Sequence, residues 1–175
     1  MFVQIIEGKV SDKEALHRQL EQWQTDLRPG ATGFLGTTAG VTDDGRFFAA
    51  ARFASATAAA ANSNRPEQSA WWSDAEKCFD GAPSFMESED IEQFLAGGSN
   101  DAGFVQVMKV PKAPDRAASK RLDAEFEKHA STLRPDLIGG QRVWLGSGGA
   151  LEINYFTNEA EARTNESQEP PAELA

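Results

Sequence analysis

The chain repeats itself. Phe2-Val3-Gln4-Ile5-Ile6 returns as Phe104-Val105-Gln106-Val107-Met108, and Leu27-Arg28-Pro29-Gly30 returns as Leu133-Arg134-Pro135-Asp136. Gly33 is answered by Gly139, and Ala50-Ala51-Arg52-Phe53 by Ile153-Asn154-Tyr155-Phe156. Matched blocks in one order mean a duplicated structural unit, and that restricts the fold more than any property of composition.

Each unit can be read from its periodicity. Phe2 to Lys9 is too apolar to alternate cleanly and suits a strand buried on both faces. Ser11 and Glu14 have capping-box spacing and start a helix whose stripe is Leu16, Leu20, Trp23 and Leu27. Pro29 and Gly30 end it. Strands over Phe34 to Val41 and Arg46 to Phe53 flank the turn Asp43-Asp44-Gly45. Ser55 caps an alanine-rich helix to Asn62, Pro66 begins a helical piece holding Trp71, Trp72 and Cys78, and a fourth strand lies near Phe85. Strand, helix, strand, strand, helix, strand is the split βαβ, or ferredoxin-like, order.

The second copy is expected to follow the same course with one strand fewer. Its helix runs from about Arg116 to Leu133, and Val143-Trp144-Leu145 turns through Gly146 to Gly149 into Ala150 to Phe156. Asp90 to Leu95 reads as a short helix. The division expected is repeat 1 over 1–96, a linker at 97–102, an incomplete repeat 2 over 103–167 and a tail at 168–175. The proline-containing tail has little apolar bulk and reads as loosely held. A sheet covered by helices on one face leaves the other apolar face in need of a cover, and the second copy can supply it.

The chain has 175 residues, enough for a core without crosslinks, and its single cysteine, Cys78, excludes a disulfide framework. A reducing, cytoplasmic location follows. No stretch approaches the roughly 18 apolar residues of a membrane span. The formal net charge of −10 repels nucleic acid and anionic lipid.

The element order and the Phe-Val-Gln opening resemble the dimeric α+β barrel superfamily, in particular the antibiotic-biosynthesis-monooxygenase-like proteins, including actinobacterial members with two fused copies. The resemblance implies an α+β fold of tandem ferredoxin-like (βαββαβ) repeats, packed sheet to sheet as an intrachain dimeric α/β barrel with the second copy truncated. It also implies a monomer with pseudo-two-fold symmetry or a homodimer. Some relatives are cofactor-independent oxygenases of aromatic or quinol-like substrates. Others degrade haem with an asparagine, a tryptophan and a histidine. Here Gln4 or Gln106 stands at the asparagine position and Trp71 or Trp72 can replace the tryptophan, but no histidine lies near Asp80 and Gly81, so haem chemistry is disfavoured.

A candidate pocket collects Gln4, Arg28, Phe34, Phe48, Asn62, Trp71 and Trp72 in the first copy and Gln106, His129, Arg134, Trp144 and Asn165 in the second. Each has a plainer reading. Arg28 and Arg134 suit the last carbonyls of a helix. Asn62 and Asn165 suit helix ends, and the tryptophans suit packing. His129 lies on the apolar stripe of its helix, whereas His17 faces solvent. No histidine, cysteine or carboxylate group has metal-ligand spacing, and no phosphate loop or nucleophile elbow occurs. The expected role is a small apolar or aromatic ligand held without catalysis and without a cofactor. The competing roles are cofactor-independent oxygenation and association through an unpaired sheet edge.

Overall fold

The computed structural model describes residues 1–167; the expected tail at 168–175 lies outside the described residues. The chain forms two compact units, Met1–Glu89 and Asp90–Ala175, each with its own four-stranded antiparallel sheet.

In the first unit β1 is Phe2–Lys9, β2 Phe34–Val41, β3 Arg46–Phe53 and β4 Ser84–Ser88, in the order β2-β3-β1-β4. This is the ferredoxin-like arrangement. Helix α1, Lys13–Gln22, is capped by Asp12, whose side chain accepts from Ala15 N, and not by Ser11. The Ser11 hydroxyl donates instead to the Cys78 carbonyl at 3.0 Å. After α1 the backbone widens into a π-type turn over Trp23–Leu27. Such turns are uncommon and often mark functional positions. This one brings Trp23 and Leu27 both inward. Helices α2, Ala56–Ser63, and α3, Pro66–Ala75, complete the layer.

Strand β3 alternates. Phe47, Ala49, Ala51 and Phe53 face the helices, and Phe47 and Ala49 pack with Leu16 and Phe79 in one cluster. Val3, Ile5 and Ala50 face the other way and are also buried, so both sheet faces carry core residues.

In the second unit β5 is Ile91–Leu95, β6 Phe104–Val110, β7 Leu137–Trp144 and β8 Ala150–Phe156, in the order β5-β7-β8-β6. Helices α4, Arg116–Leu133, and α5, Glu159–Glu166, accompany the sheet. The expected helix at 90–95 is therefore a strand, which brings the second sheet to four by adding at its β7 edge; among the described residues no strand lies beside β6 where β4 lies beside β1, so the fourth strand of the repeat is missing as expected. The expected linker at 97–102 lies inside this unit, between β5 and β6. The glycines of β7 explain the strand. A Cβ on Gly140 would fall 1.9 Å from the Phe94 ring, and one on Gly139 would fall 2.0 Å from the Gly97 carbonyl oxygen. Bare backbone at both positions lets β5 dock, with its aromatic ring laid over the glycine opposite, a known device for edge glycines. The Glu127 carboxylate accepts from Leu95 N at 2.7 Å and ties the strand end to α4.

The inward face of α4 also differs from the expected stripe. His129 is about half exposed and pairs with Glu125 at 3.6 Å, and Leu122 is 60% exposed. Ser119 and Ala130 are buried instead, and Asp123 turns toward the sheet. The cause is Arg142 on β7. Its guanidinium is buried and takes Asp123 at 2.7 and 3.2 Å and Glu152 at 2.8 Å. Burial acts to lower its pKa, but hydrogen bonds to Asp123 and Glu152 outweigh this and hold it above the usual arginine value.

Candidate functional site

The helix-side face of the first sheet encloses a cavity of about 570 Å³. Its floor comes from two cross-strand rows. In one, Thr37 pairs with Ala51, Ala51 with Gln4 and Gln4 with Glu87. In the other, Ala39 pairs with Ala49, Ala49 with Ile6 and Ile6 with Phe85. Alanine at the two central β3 positions leaves the space. The π-type turn and α3 stand over it with Trp23, Trp71 and Trp72, so the gap stays open.

The walls form an unbroken series of ring contacts. Phe53 meets Phe34 at 5.5 Å between centroids, Phe34 meets Trp23 at 4.9 Å, and Trp23 meets Trp71 at 6.4 Å. Trp71 meets Trp72 at 5.9 Å, Trp72 meets Phe79 at 6.4 Å, and Phe79 meets Phe47 at 5.4 Å. Phe85 closes on Trp72 at 5.2 Å. All of these rings line the cavity. Centroid spacings of this kind suit edge-to-face pairing and present flat π surface to a ligand.

Several of the polar lining groups are fixed by bonds to the protein. Trp23 Nε1 donates to Gln68 Oε1 at 2.7 Å, and Trp71 Nε1 donates to the Gln19 carbonyl at 2.8 Å. Both indole N–H groups are thus used in holding the wall. Gln4 Nε2 donates to Glu87 Oε1 at 3.1 Å, which leaves the Gln4 carbonyl as the half of the amide open to a ligand. Asn62 is buried and its Oδ1 accepts from Arg65 Nη1 at 3.0 Å, leaving its Nδ2. Arg65 also donates to the Leu27 carbonyl at 3.0 Å, so it ties the end of the π turn to α2. His17 and Glu21 are the lining residues able to accept a proton; their side chains are exposed and lie 3.2 Å apart.

Of the candidates named from sequence in the first copy, Gln4, Phe34, Asn62, Trp71 and Trp72 line this cavity. Arg28 does not; it is exposed and donates to Gln24 Oε1 at 3.2 Å. Phe48 points to the other face of the sheet, and its neighbour Phe47 lines the cavity instead. A one-residue error in strand parity exchanges the two faces. The signal was available in the spacing Phe47, Ala49, Ala51, Phe53. Trp23, part of the expected apolar stripe, and Gln68 also line the cavity, and their bond joins the π-type turn to α3, 45 positions apart.

The second-copy candidates are not gathered around one cavity. Gln106 Nε2 donates to Glu166 Oε1 at 3.0 Å, repeating the Gln4–Glu87 pair. Together with Arg163, that bond holds the Glu166 carboxyl below its usual range. Arg134 and Asn165 both serve Asp136. The guanidinium donates at 3.1 and 2.8 Å and the amide at 2.7 Å, to a carboxylate that is fully buried. Burial acts to raise the Asp136 pKa, but these bonds more than offset it and the value is lowered. Trp144 is buried, with the Arg116 guanidinium 4.3 Å over its ring. Among the described residues there is no cluster of three or more histidine, cysteine or carboxylate groups placed to hold a metal ion. Among the same residues no helix is long and apolar enough to cross a membrane.

No family model and no curated protein matches the sequence. Solved structures do match the fold. One is a proposed monooxygenase from Fusobacterium nucleatum subsp. nucleatum, with a TM-score of 0.73 at 8% identity, covering 96% of this chain and 81% of that one. A second, a proposed monooxygenase from Lactobacillus acidophilus, gives 0.69 at 12% identity over 95% and 81%. An anthrone oxidase-like protein gives 0.65 at 10% identity over 97% and 78%. The chain therefore has an internally duplicated α+β fold that it shares with these structures. Identities this low carry the fold and not the chemistry.

Proposed function

We propose that the first unit binds a planar, electron-rich aromatic molecule and supports its oxygenation by dioxygen without a cofactor. The observation that carries the reading is the cavity whose walls are the linked rings from Phe53 to Phe47. A volume of this size suits a fused-ring molecule, and pockets of this kind take most of their affinity from apolar surface with a few polar groups fixing orientation. The resemblance to monooxygenase-like and anthrone oxidase-like structures supports the same class.

The chemistry needs only the substrate and dioxygen. An activated methylene between aromatic rings loses a proton, and the carbanion transfers its electrons to dioxygen to form a carbon–oxygen bond. The peroxide takes up the proton, and loss of water leaves a carbonyl. One methylene and one dioxygen give one carbonyl and one water. The protein orients the ring, excludes water, and offers the Asn62 amide N–H to the developing oxyanion. His17, paired with Glu21, is the lining group placed to take the first proton.

One observation favours binding without turnover: among the described residues no lysine or arginine lines the cavity to hold an anion. Dioxygen consumption separates the two. Purified protein mixed with anthrone in air should consume one dioxygen per carbonyl formed, with chelator present, and lose this on Asn62→Ala. Quenching of tryptophan fluorescence by anthrone with no dioxygen uptake above the protein-free rate would leave a binding protein only.

A further inference from the structure

The two units carry corresponding rows of residues on the helix-side faces of their sheets. The row Thr37, Ala51, Gln4 in the first unit corresponds to Gly140, Asn154, Gln106 in the second. The row Ala39, Ala49, Ile6 corresponds to Arg142, Glu152, Met108. In the first unit these rows are the cavity floor. In the second, Arg142 and Glu152 put an ion pair on one row, and the other row is covered by a ring from the neighbouring strand.

Two groups do the filling. Over the first row lies Phe94. It pairs with Gly140 in register, and its ring atoms stand 1.9 to 2.6 Å from where a Gly140 Cβ would be. An aromatic ring therefore rests directly on the strand position that corresponds to Thr37. Over the second row lies Arg142, 8% exposed, with Glu152 and Asp123 bonded to it and the Glu92 carboxylate 4.0 Å away. Its guanidinium also sits 5.9 Å from the Phe94 ring centroid. A ligand would have to displace a buried, multiply bonded ion pair to enter, which leaves charge buried without its partner.

We infer that each chain binds one ligand, not two, and that Ala49 and Ala51 are the residues that set its size. This rests on the reading of the first cavity as a ligand site. The side chain of Phe94 over Gly140 also gives the pose. By the same correspondence, the ligand's ring lies over Thr37 and Ala51, against the carbonyl half of Gln4. A leucine at position 51 occupies that place, in the way Phe94 does in the other unit. Because it projects into open space and not into packed core, it leaves the fold intact.

Titration of the full chain with dihydroxyanthraquinone, followed by tryptophan quenching and by native mass spectrometry, tests this. Wild type should bind one molecule per chain. Ala51→Leu should weaken binding at least tenfold while the urea midpoint stays within error of wild type. Two molecules per chain, or a folded Ala51→Leu variant that binds as wild type does, would overturn the inference and leave the ligand-site reading standing. Single-site binding with no dioxygen uptake from anthrone would remove only the oxygenase reading. No binding by wild type removes both.

Discussion

Asp136 offers a sharp test of how the second unit is held. Its side chain has no exposure and meets three donors: Arg134 Nε at 3.1 Å, Arg134 Nη2 at 2.8 Å and Asn165 Nδ2 at 2.7 Å. Its backbone carbonyl takes Thr157 N at 2.9 Å, so it links the start of β7 to the end of β8. Asp136→Asn keeps the shape but removes the charge and turns one acceptor into a donor that faces the guanidinium. A hydrogen bond to a charged group contributes about 1.5–3 kcal/mol, and the remaining bonds survive. The net loss should be about 2–3 kcal/mol at pH 7, which corresponds to a midpoint shift on the order of 10 °C for a unit of this size. The pH dependence fixes the cause. The folded-state pKa of Asp136 is lowered, so the unfolded chain binds more protons in this range. The stabilisation is complete above the ordinary aspartate pKa of about 4 and is lost as pH falls through the lowered folded value. Urea unfolding of both proteins at pH 7 and pH 3, followed by circular dichroism, should show the difference shrinking with acidification. A variant within about 0.5 kcal/mol of wild type at pH 7, or a deficit that persists undiminished at pH 3, would refute the assignment of the lowered pKa to these bonds.

Other perturbations separate the remaining features. Arg142→Met strands Glu152 and Asp123 without their shared partner and should cost about 3 kcal/mol, the low end for a buried pair because the carboxylates keep some exposure. Adding Glu152→Met should recover most of that loss in the same urea assay. Gly140→Ala puts a methyl into the Phe94 ring and should cost about 1–3 kcal/mol. Hydrogen exchange should speed at residues 91–95, and Phe94→Ala in the same chain should relieve part of the penalty. Trp72→Ala removes the ring shared by Trp71, Phe79 and Phe85. It should weaken dihydroxyanthraquinone binding by about tenfold or more in a fluorescence titration, since an aromatic contact is worth about 0.5–1.5 kcal/mol beyond its buried area.

Much of the first unit is legible in the chain. The turn at Asp43-Asp44-Gly45 and the flanking apolar runs place β2 and β3 at their observed bounds, and the stripe from Leu16 to Leu27 gives the inward face of α1. Less of the candidate site is legible. Phe47 and Phe48 are both apolar and adjacent, and the one mark that separates them is the alternation Phe47, Ala49, Ala51, Phe53 along the strand. Trp23 carries no mark that it will bond Gln68 across 45 positions. Strand β5 hides for a related reason. Ile91-Glu92-Gln93-Phe94-Leu95 has no decisive period, and its strand character comes from the two glycines of β7 that admit it.

The duplication and the order of elements in the first unit are properties of the chain read along its length, because local spacing and repeated blocks are enough to specify them. That one copy is hollow and the other filled is decided in three dimensions. Alanine at positions 49 and 51 is ordinary on a strand until helices with large rings stand over it and leave a gap. Arg142 is an ordinary charge until Asp123, Glu152 and the Phe94 ring converge on it from separate elements. The row that is cavity floor at Ala39 and Ala49 thus becomes an ion pair at Arg142 and Glu152, through neighbours that sequence order does not place beside it.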